Sequence, residues 1–143
     1  MMHDGPRRHI LVVDDEEAIG RLIAHYLESV GYEVRQATEG EEALRDVAEH
    51  QTDLVILDLR LPDVNGLEVC RELRQRYNSW ALPIIILTGL DASVDKLRGF
   101  SSGADAYLTK PFEPPELLPT VTRLLSQLPD GSHVPIEHHL WER

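Results

Sequence analysis

Four short apolar runs punctuate this chain, each bounded by polar or turn-forming positions: Ile10 to Val13, Asp53 to Leu57, Pro83 to Leu87 and Ala106 to Leu108. Runs this short and this uniformly apolar read as strands covered on both faces. A fifth segment, Tyr32 to Gln36, alternates instead, which suits a strand at or near a sheet edge. Between the strands the period changes to that of a helix. Ile19, Leu22, Ile23, Tyr26, Leu27 and Val30 recur at offsets of three and four and share one face, with Gly31 placed to end the helix. Thr38 and Glu41 have capping-box spacing and open a second helix carrying Ala43, Leu44, Val47 and Ala48. A third is expected from about Gly66 to Tyr77, with Leu67, Val69, Cys70 and Leu73 inward. A fourth runs from Asp91 to Ser102 and is closed by Gly103, and the last from Pro114 or Pro115 to Leu128. Pro119 lies inside that last span, where its ring would clash with a preceding turn, so the pattern predicts a late start or a kink there.

Strands alternating with helices imply an α/β fold, a doubly wound parallel sheet of five strands with five helices and right-handed crossovers. In such sheets ligands sit outside the carboxyl ends of the strands, near a topological switch point. The 143 residues suffice for one domain, and a domain of this size buries roughly two-thirds of the surface its unfolded chain exposes. The expected division is an extension over 1–8, the domain over 9–128 and a tail over 129–143.

Composition narrows the partners. The chain is 42% hydrophobic and 27% charged, within the range of soluble globular proteins. Its formal charge of −11 repels a phosphate backbone, so direct nucleic-acid binding is not expected. No apolar stretch approaches a bilayer span, and the N-terminus carries no signal-like apolar region, so a cytoplasmic chain without a membrane partner is expected. Cys70 is the only cysteine. It reads as a small packing residue in a helix, since no His is positioned in its motif to activate a thiol.

The polar residues that terminate the strands carry the chemistry. Asp14 and Asp15 end the first, Asp58 the third and Thr88 the fourth, while Lys110 follows the fifth. A parallel sheet brings them to one edge from positions almost a hundred residues apart. Three clustered carboxylates repel, and holding them ionised requires a cation; an oxygen-only donor set favours Mg²⁺ or Mn²⁺. One carboxylate can then attack phosphorus to form an acyl phosphate. Lys110 offers a point charge for a phosphoryl oxygen and Thr88 a hydroxyl for another, while Gly89 leaves the approach open. Taken singly, Asp14 and Asp15 could simply cap a helix, and Lys110 could neutralise Asp58 without any chemistry.

Four fragments stand in order at these strand ends: V-V-D-D-E, L-D-L-R-L-P-D-V-N-G, I-I-L-T-G and G-A-D-A-Y-L-T-K-P-F. Through them the chain resembles, over about Ile10 to Leu128, the receiver domain of bacterial two-component response regulators. The resemblance implies sheet order 2-1-3-4-5 and a phosphoacceptor at Asp58. It implies Mg²⁺ held by Asp15, Asp58 and the backbone carbonyl of Arg60, with Asp14 acting through water. Thr88 and Lys110 would hold the phosphoryl group, and Tyr107, by default a packing aromatic, would be the switch residue. Lys110-Pro111 would be cis, and Pro62 and Gly66 would shape the loop after Asp58. The implied donor is a sensor histidine kinase or a histidine phosphotransfer protein. The implied output is a downstream protein target or a second copy of the chain, met through the fourth helix, fifth strand and fifth helix.

Some positions bear on how such a module would behave. Arg60 and Leu90, two residues after Asp58 and Thr88, would flank an acyl phosphate; Leu90 cannot orient water, which suggests a long-lived phosphorylated state. The segment from Lys96 to Phe112 resembles receivers joined to winged-helix DNA-binding domains, which dimerise through charge pairs. Lys96 and Glu116 could form one pair, but Ser101, Ala106, Thr120 and Thr122 occupy other pairing positions, so a dimer would rest on apolar contacts. After Pro129-Asp130-Gly131 only twelve residues remain, which suits a stand-alone receiver or a piece of a longer regulator. Ile136, Leu140 and Trp141 in that tail read as either a frayed end or a docking segment, and His133, His138 and His139 as solvated rather than metal-binding. A second class, the Mg²⁺-dependent aspartyl phosphatases of the haloacid dehalogenase type, wants an acid two residues after the nucleophile, where this chain has Arg60.

Overall fold

The computed structural model describes residues 7–89 and 103–128. Five strands, β1 His9–Val13, β2 Glu33–Ala37, β3 Leu54–Asp58, β4 Ile84–Thr88 and β5 Ala106–Thr109, form one parallel sheet in the order β2-β1-β3-β4-β5. Four α-helices stand among the described residues: α1 Glu17–Ser29, α2 Gly40–Glu49, α3 Gly66–Arg76 and α4 Leu118–Leu125. The helix expected over 91–102, the tail, and the positions Leu90, Lys96 and Ser101 lie outside the described residues. Gly103, the residue expected to close that helix, has φ of 99°.

Alternation along the buried strands builds two cores, because successive side chains of a strand point to opposite faces. Leu11, Val13, Val55, Leu57, Ile84 and Ile86 pack with Val47 of α2 and Val69, Cys70 and Leu73 of α3. Ile10, Val12, Leu54, Ile56, Ile85 and Leu87 face the other way, against Ile23 and Leu27 of α1 and Val121 and Leu124 of α4. Cys70 is fully buried, as its packing role requires. The edge strand β2 buries only Ala37, which is why its sequence alternates. None of the described helices is long and apolar enough to cross a membrane.

Several boundaries differ from the sequence pattern for identifiable reasons. β3 and β4 each extend one residue further, because Asp58 pairs with Leu87 and Thr88 with Thr109 in the ladder. Both polar residues are thus the last members of their strands. Pro114 and Pro115 lie in a 3₁₀ turn, Pro114–Leu117, and Pro119 falls at the second position of α4, where its missing N–H has no partner to lose. The late start is therefore realised. At its other end α4 stops before Leu128, because the Gln127 and Leu128 N–H groups bond three residues back, to Leu124 and Leu125.

The expected capping box at Thr38 and Glu41 does not form. The Thr38 N–H donates to Glu42 instead, at 3.0 Å, and the N-cap residue Glu39 makes no side-chain cap. The cap comes from a distant residue: Asp63 accepts from the N–H groups of Gly40 at 2.8 Å and Glu41 at 3.0 Å. α3 is capped locally, by Asn65 accepting from the Leu67 N–H at 2.8 Å. Gly31, just past the C-cap of α1, has φ of 108°, a conformation that side chains with a Cβ avoid.

Candidate functional site: an acidic pocket at the carboxyl edge of the sheet

β1 and β3 are neighbours in the sheet and end side by side, so Asp14, Asp15 and Asp58 meet although the first and last are 44 positions apart in the chain. One carboxylate oxygen from each lies within 4.8 Å of the others. Asp14 and Asp58 are buried, with 1% and 7% of their surface exposed, while Asp15 faces outward. Lys110, delivered by β5, reaches across β4 and places its Nζ 3.2 Å from both Asp14 Oδ2 and Asp58 Oδ2. Backbone groups complete the set: the Arg60 N–H donates to Asp58 Oδ1 at 3.3 Å and the Glu16 N–H to Asp14 Oδ1 at 3.0 Å. An open cavity of about 300 Å³ sits over these groups, bordered by Asp15, Glu16, Asp58, Arg60, Gly89 and Lys110.

The sequence-derived residues divide into those at the pocket and those behind it. Asp14, Asp15, Asp58, Arg60 and Lys110 converge, and Gly89 borders the approach. Thr88 is buried beside it at the end of β4, with its hydroxyl donating to the Gly89 carbonyl at a long 3.4 Å. Tyr107 is half-buried on β5, paired with Ile86 and packed on the α2/α3 side of the sheet, outside the pocket lining. Burial pushes its phenol above the usual tyrosine range. The Lys110-Pro111 bond is cis. Glu16 borders the pocket and had no assigned role from sequence; its signal was its place directly after the Asp14-Asp15 pair.

Electrostatics at the pocket are unbalanced. Burial, and then Asp14, push the Asp58 carboxyl above the usual carboxylate range, and the charge and hydrogen bond of Lys110 only partly oppose them. Burial also disfavours the Lys110 ammonium, but Asp58 and Asp14 outweigh it and hold that group above the usual lysine range. Three carboxylates against one ammonium leave a surplus of negative charge in an oxygen-only donor set. A hard divalent cation such as Mg²⁺ fits that set in both charge and ligand chemistry, with Mn²⁺ as the alternative.

This imbalance has a sign that can be measured. A carboxyl whose folded pKa lies above its unfolded value binds more protons when folded, so stability falls as pH rises through that interval and stays lower above it. With chelator present, Asp58→Asn should therefore be more stable than the wild type at neutral pH, by about 1 kcal/mol. The difference should close below about pH 4, where unfolded carboxylates protonate as well. Urea midpoints across pH read this directly, and a pH-independent difference would contradict it.

The family model for the response regulator receiver domain matches residues 10–122, nearly the whole span of the sheet and its helices. The chain is 46% identical over 118 residues to the alkaline phosphatase synthesis transcriptional regulatory protein PhoP of Bacillus subtilis, covering 82% of this chain and 48% of that protein. It is 45% identical over 116 residues to the DNA-binding dual master transcriptional regulator RpaA of Synechocystis, covering 81% and 48%. It thus spans about half the length of these curated relatives. Among solved structures, a response regulator from Chloroflexus aurantiacus superposes with a TM-score of 0.79 at 38% identity, over 85% of this chain and 99% of that one. Sheet order, pocket position and these matches agree, and the chain belongs to the response regulator receiver domain family.

Proposed function

We propose that Asp58 accepts a phosphoryl group from a sensor histidine kinase or a histidine phosphotransfer protein, and that the modified chain controls a protein partner. The observation that carries this reading is that Lys110 pairs with both of the buried carboxylates, Asp58 and Asp14, beneath an open cavity. A carboxylate oxygen of Asp58 attacks phosphorus, the bond from phosphorus to the donor's imidazole nitrogen breaks, and an acyl phosphate forms on the chain. Asp58, Asp15 and the Arg60 carbonyl would hold Mg²⁺, with Asp14 beside them. The ion supplies neutralising charge for the transferring oxygens when bound. Lys110 exchanges its contact with Asp58 for one with a phosphoryl oxygen, and its positive charge is already oriented there. Thr88 turns its hydroxyl from Gly89 toward the phosphoryl group, and Tyr107 on the neighbouring strand responds to the space that this movement changes.

The same reading places the protein in the cytoplasm and makes it a switch rather than a turnover enzyme. Arg60 supports it against the aspartyl phosphatase alternative, since a guanidinium cannot serve as the general acid that a phosphatase of that class needs at this position. A second reading concerns output. The two relatives are named as transcriptional regulators, and the chain spans about half of each, so it could serve as the receiver portion of such a regulator. Its own net charge of −11 argues that any DNA contact would come from elsewhere.

Intact-mass measurement after incubation with acetyl phosphate tests the central step. Wild-type chain should gain one phosphoryl group in Mg²⁺ and none in chelator, and Asp58→Asn should gain none in either. Modification of the variant would move the acceptor away from Asp58, and modification of the wild type in chelator would remove the requirement for the metal.

A further inference from the structure

The segment after Asp58 forms an arch whose two ends are tied together. The Gly66 N–H donates to the Leu59 carbonyl at 2.8 Å, and Arg60 and Asn65 face each other in an isolated antiparallel bridge. The stem of this arch carries the Arg60 backbone, whose N–H already bonds Asp58. Its far side does not end in solvent. Asp63 extends to α2, with Oδ1 accepting from Gly40 N–H and Oδ2 from Glu41 N–H, while Oδ1 also accepts from its own neighbour Val64 at 3.0 Å.

Three further observations show that this contact is built. α2 has no cap of its own, so its first N–H groups are satisfied only by the arch among the described side chains. The α2 donors, Glu41 first and then Gly40, hold the Asp63 carboxyl below the usual carboxylate range. Gly40 is where α2 meets the arch and the start of α3: a Cβ there would lie 2.4 Å from Val64 Cγ2 of the arch and 2.8 Å from Val69 Cγ2 of α3. The arch is therefore held at its stem by backbone bonds and at its tip by a carboxylate clamped across two N–H donors.

We infer that Asp63 is a positioning residue for the metal site: by tethering the arch to α2 it holds the Arg60 carbonyl in the place from which it serves as an ion ligand. This rests on the reading that Arg60 contributes that ligand. Asp63 does not border the pocket and touches no reacting group, so its effect passes through the backbone between it and Arg60. Groups that orient a metal ligand from behind are worth about 10- to 100-fold in metal affinity.

Calorimetric titration of the full chain with Mg²⁺ separates this role from mere capping. Asp63→Ala should bind Mg²⁺ about tenfold more weakly than wild type, and Asp63→Asn, which keeps one acceptor, should be weakened less but in the same direction. Two controls bracket the result. Glu39→Gln removes a neighbouring charge without touching the arch and should stay within about twofold of wild type. Asp46→Ala breaks the ion pair that joins Asp46 of α2 to Arg35 of β2, with no bond to the arch, and should lose stability without losing affinity. Unchanged affinity in both Asp63 variants, with lowered stability, would reduce Asp63 to a helix cap and overturn the inference alone. A weakening matched by Glu39→Gln would assign the effect to charge and overturn it too. Failure of the wild type itself to bind Mg²⁺ would overturn the metal reading on which the inference stands.

Discussion

Lys110→Ala should destabilise the protein by about 3 kcal/mol in chelator and recover most of that loss when Mg²⁺ is added. The wild-type ammonium lies 3.2 Å from carboxylates of Asp14 and Asp58, both nearly withdrawn from water. Truncating it leaves two like charges buried side by side, and removing one partner of a buried ionic cluster costs far more than the cluster contributes when intact. The remaining response is for Asp58, already pushed upward, to take a proton, so the loss should shrink as pH is lowered. A divalent cation bound to the same carboxylates replaces the missing charge and adds its own binding free energy, about 2.7 kcal/mol at a hundredfold excess over Kd. Urea unfolding in chelator and in saturating Mg²⁺ measures both halves. An equal loss in the two conditions would mean that the aliphatic stem of Lys110, not its charge, matters.

Gly66→Ala should cost about 3 kcal/mol and should slow phosphorylation of Asp58 as well. A Cβ at Gly66 would lie 2.4 Å from the Asp58 carbonyl oxygen and 2.8 Å from Leu59 Cα. Both are backbone atoms at the end of a strand paired on either side, so neither can rotate away. α3 would have to retreat from β3, breaking the Gly66 bond to Leu59 and shifting the residue that carries the reaction. Gly20→Ala is the matched control. Its nearest neighbour would be the Gln36 side-chain amide at 3.4 Å, and alanine favours a helix interior by about 1 kcal/mol over glycine, so that variant should be neutral or slightly stabilised. Thermal or urea denaturation of the pair, with acetyl phosphate kinetics beside it, decides the point. Equal behaviour of the two variants would contradict the close approach at Gly66.

The legible parts of this protein are those in which a local pattern maps directly onto geometry. Strands buried on both faces need unbroken apolar runs, so Ile10 to Val13 and Pro83 to Leu87 announced β1 and β4 to within a residue. The terminal polar residues Asp14, Asp15, Asp58, Thr88 and Lys110 were legible for the same reason. In a parallel sheet every strand points the same way, and whatever ends the strands must gather at one edge. Pro119 likewise signalled where a helix could not yet have begun.

Tertiary structure decided what depends on elements distant in sequence. The cap of α2 was misread as Thr38 with Glu41 because a capping box is a local signal, whereas the real acceptor, Asp63, lies 23 residues beyond the Gly40 N–H it serves. No periodicity links those positions; only the packing of the arch onto α2 does. Glu16 joined the pocket border because the chain after β1 turns over Asp14, whose carboxylate accepts from the Glu16 N–H; the Asp14-Asp15 pair hinted at its place, but its position on the border came from the fold. The burial and the charge partner of each carboxylate were also decided by the fold. Asp14 and Asp15 are neighbours of identical chemistry, yet one is sealed against Lys110 and the other faces the cavity, because successive residues leaving a strand point to opposite sides. Residue chemistry along the chain determined what this edge of the sheet could do, and the three-dimensional packing determined which oxygen meets which charge.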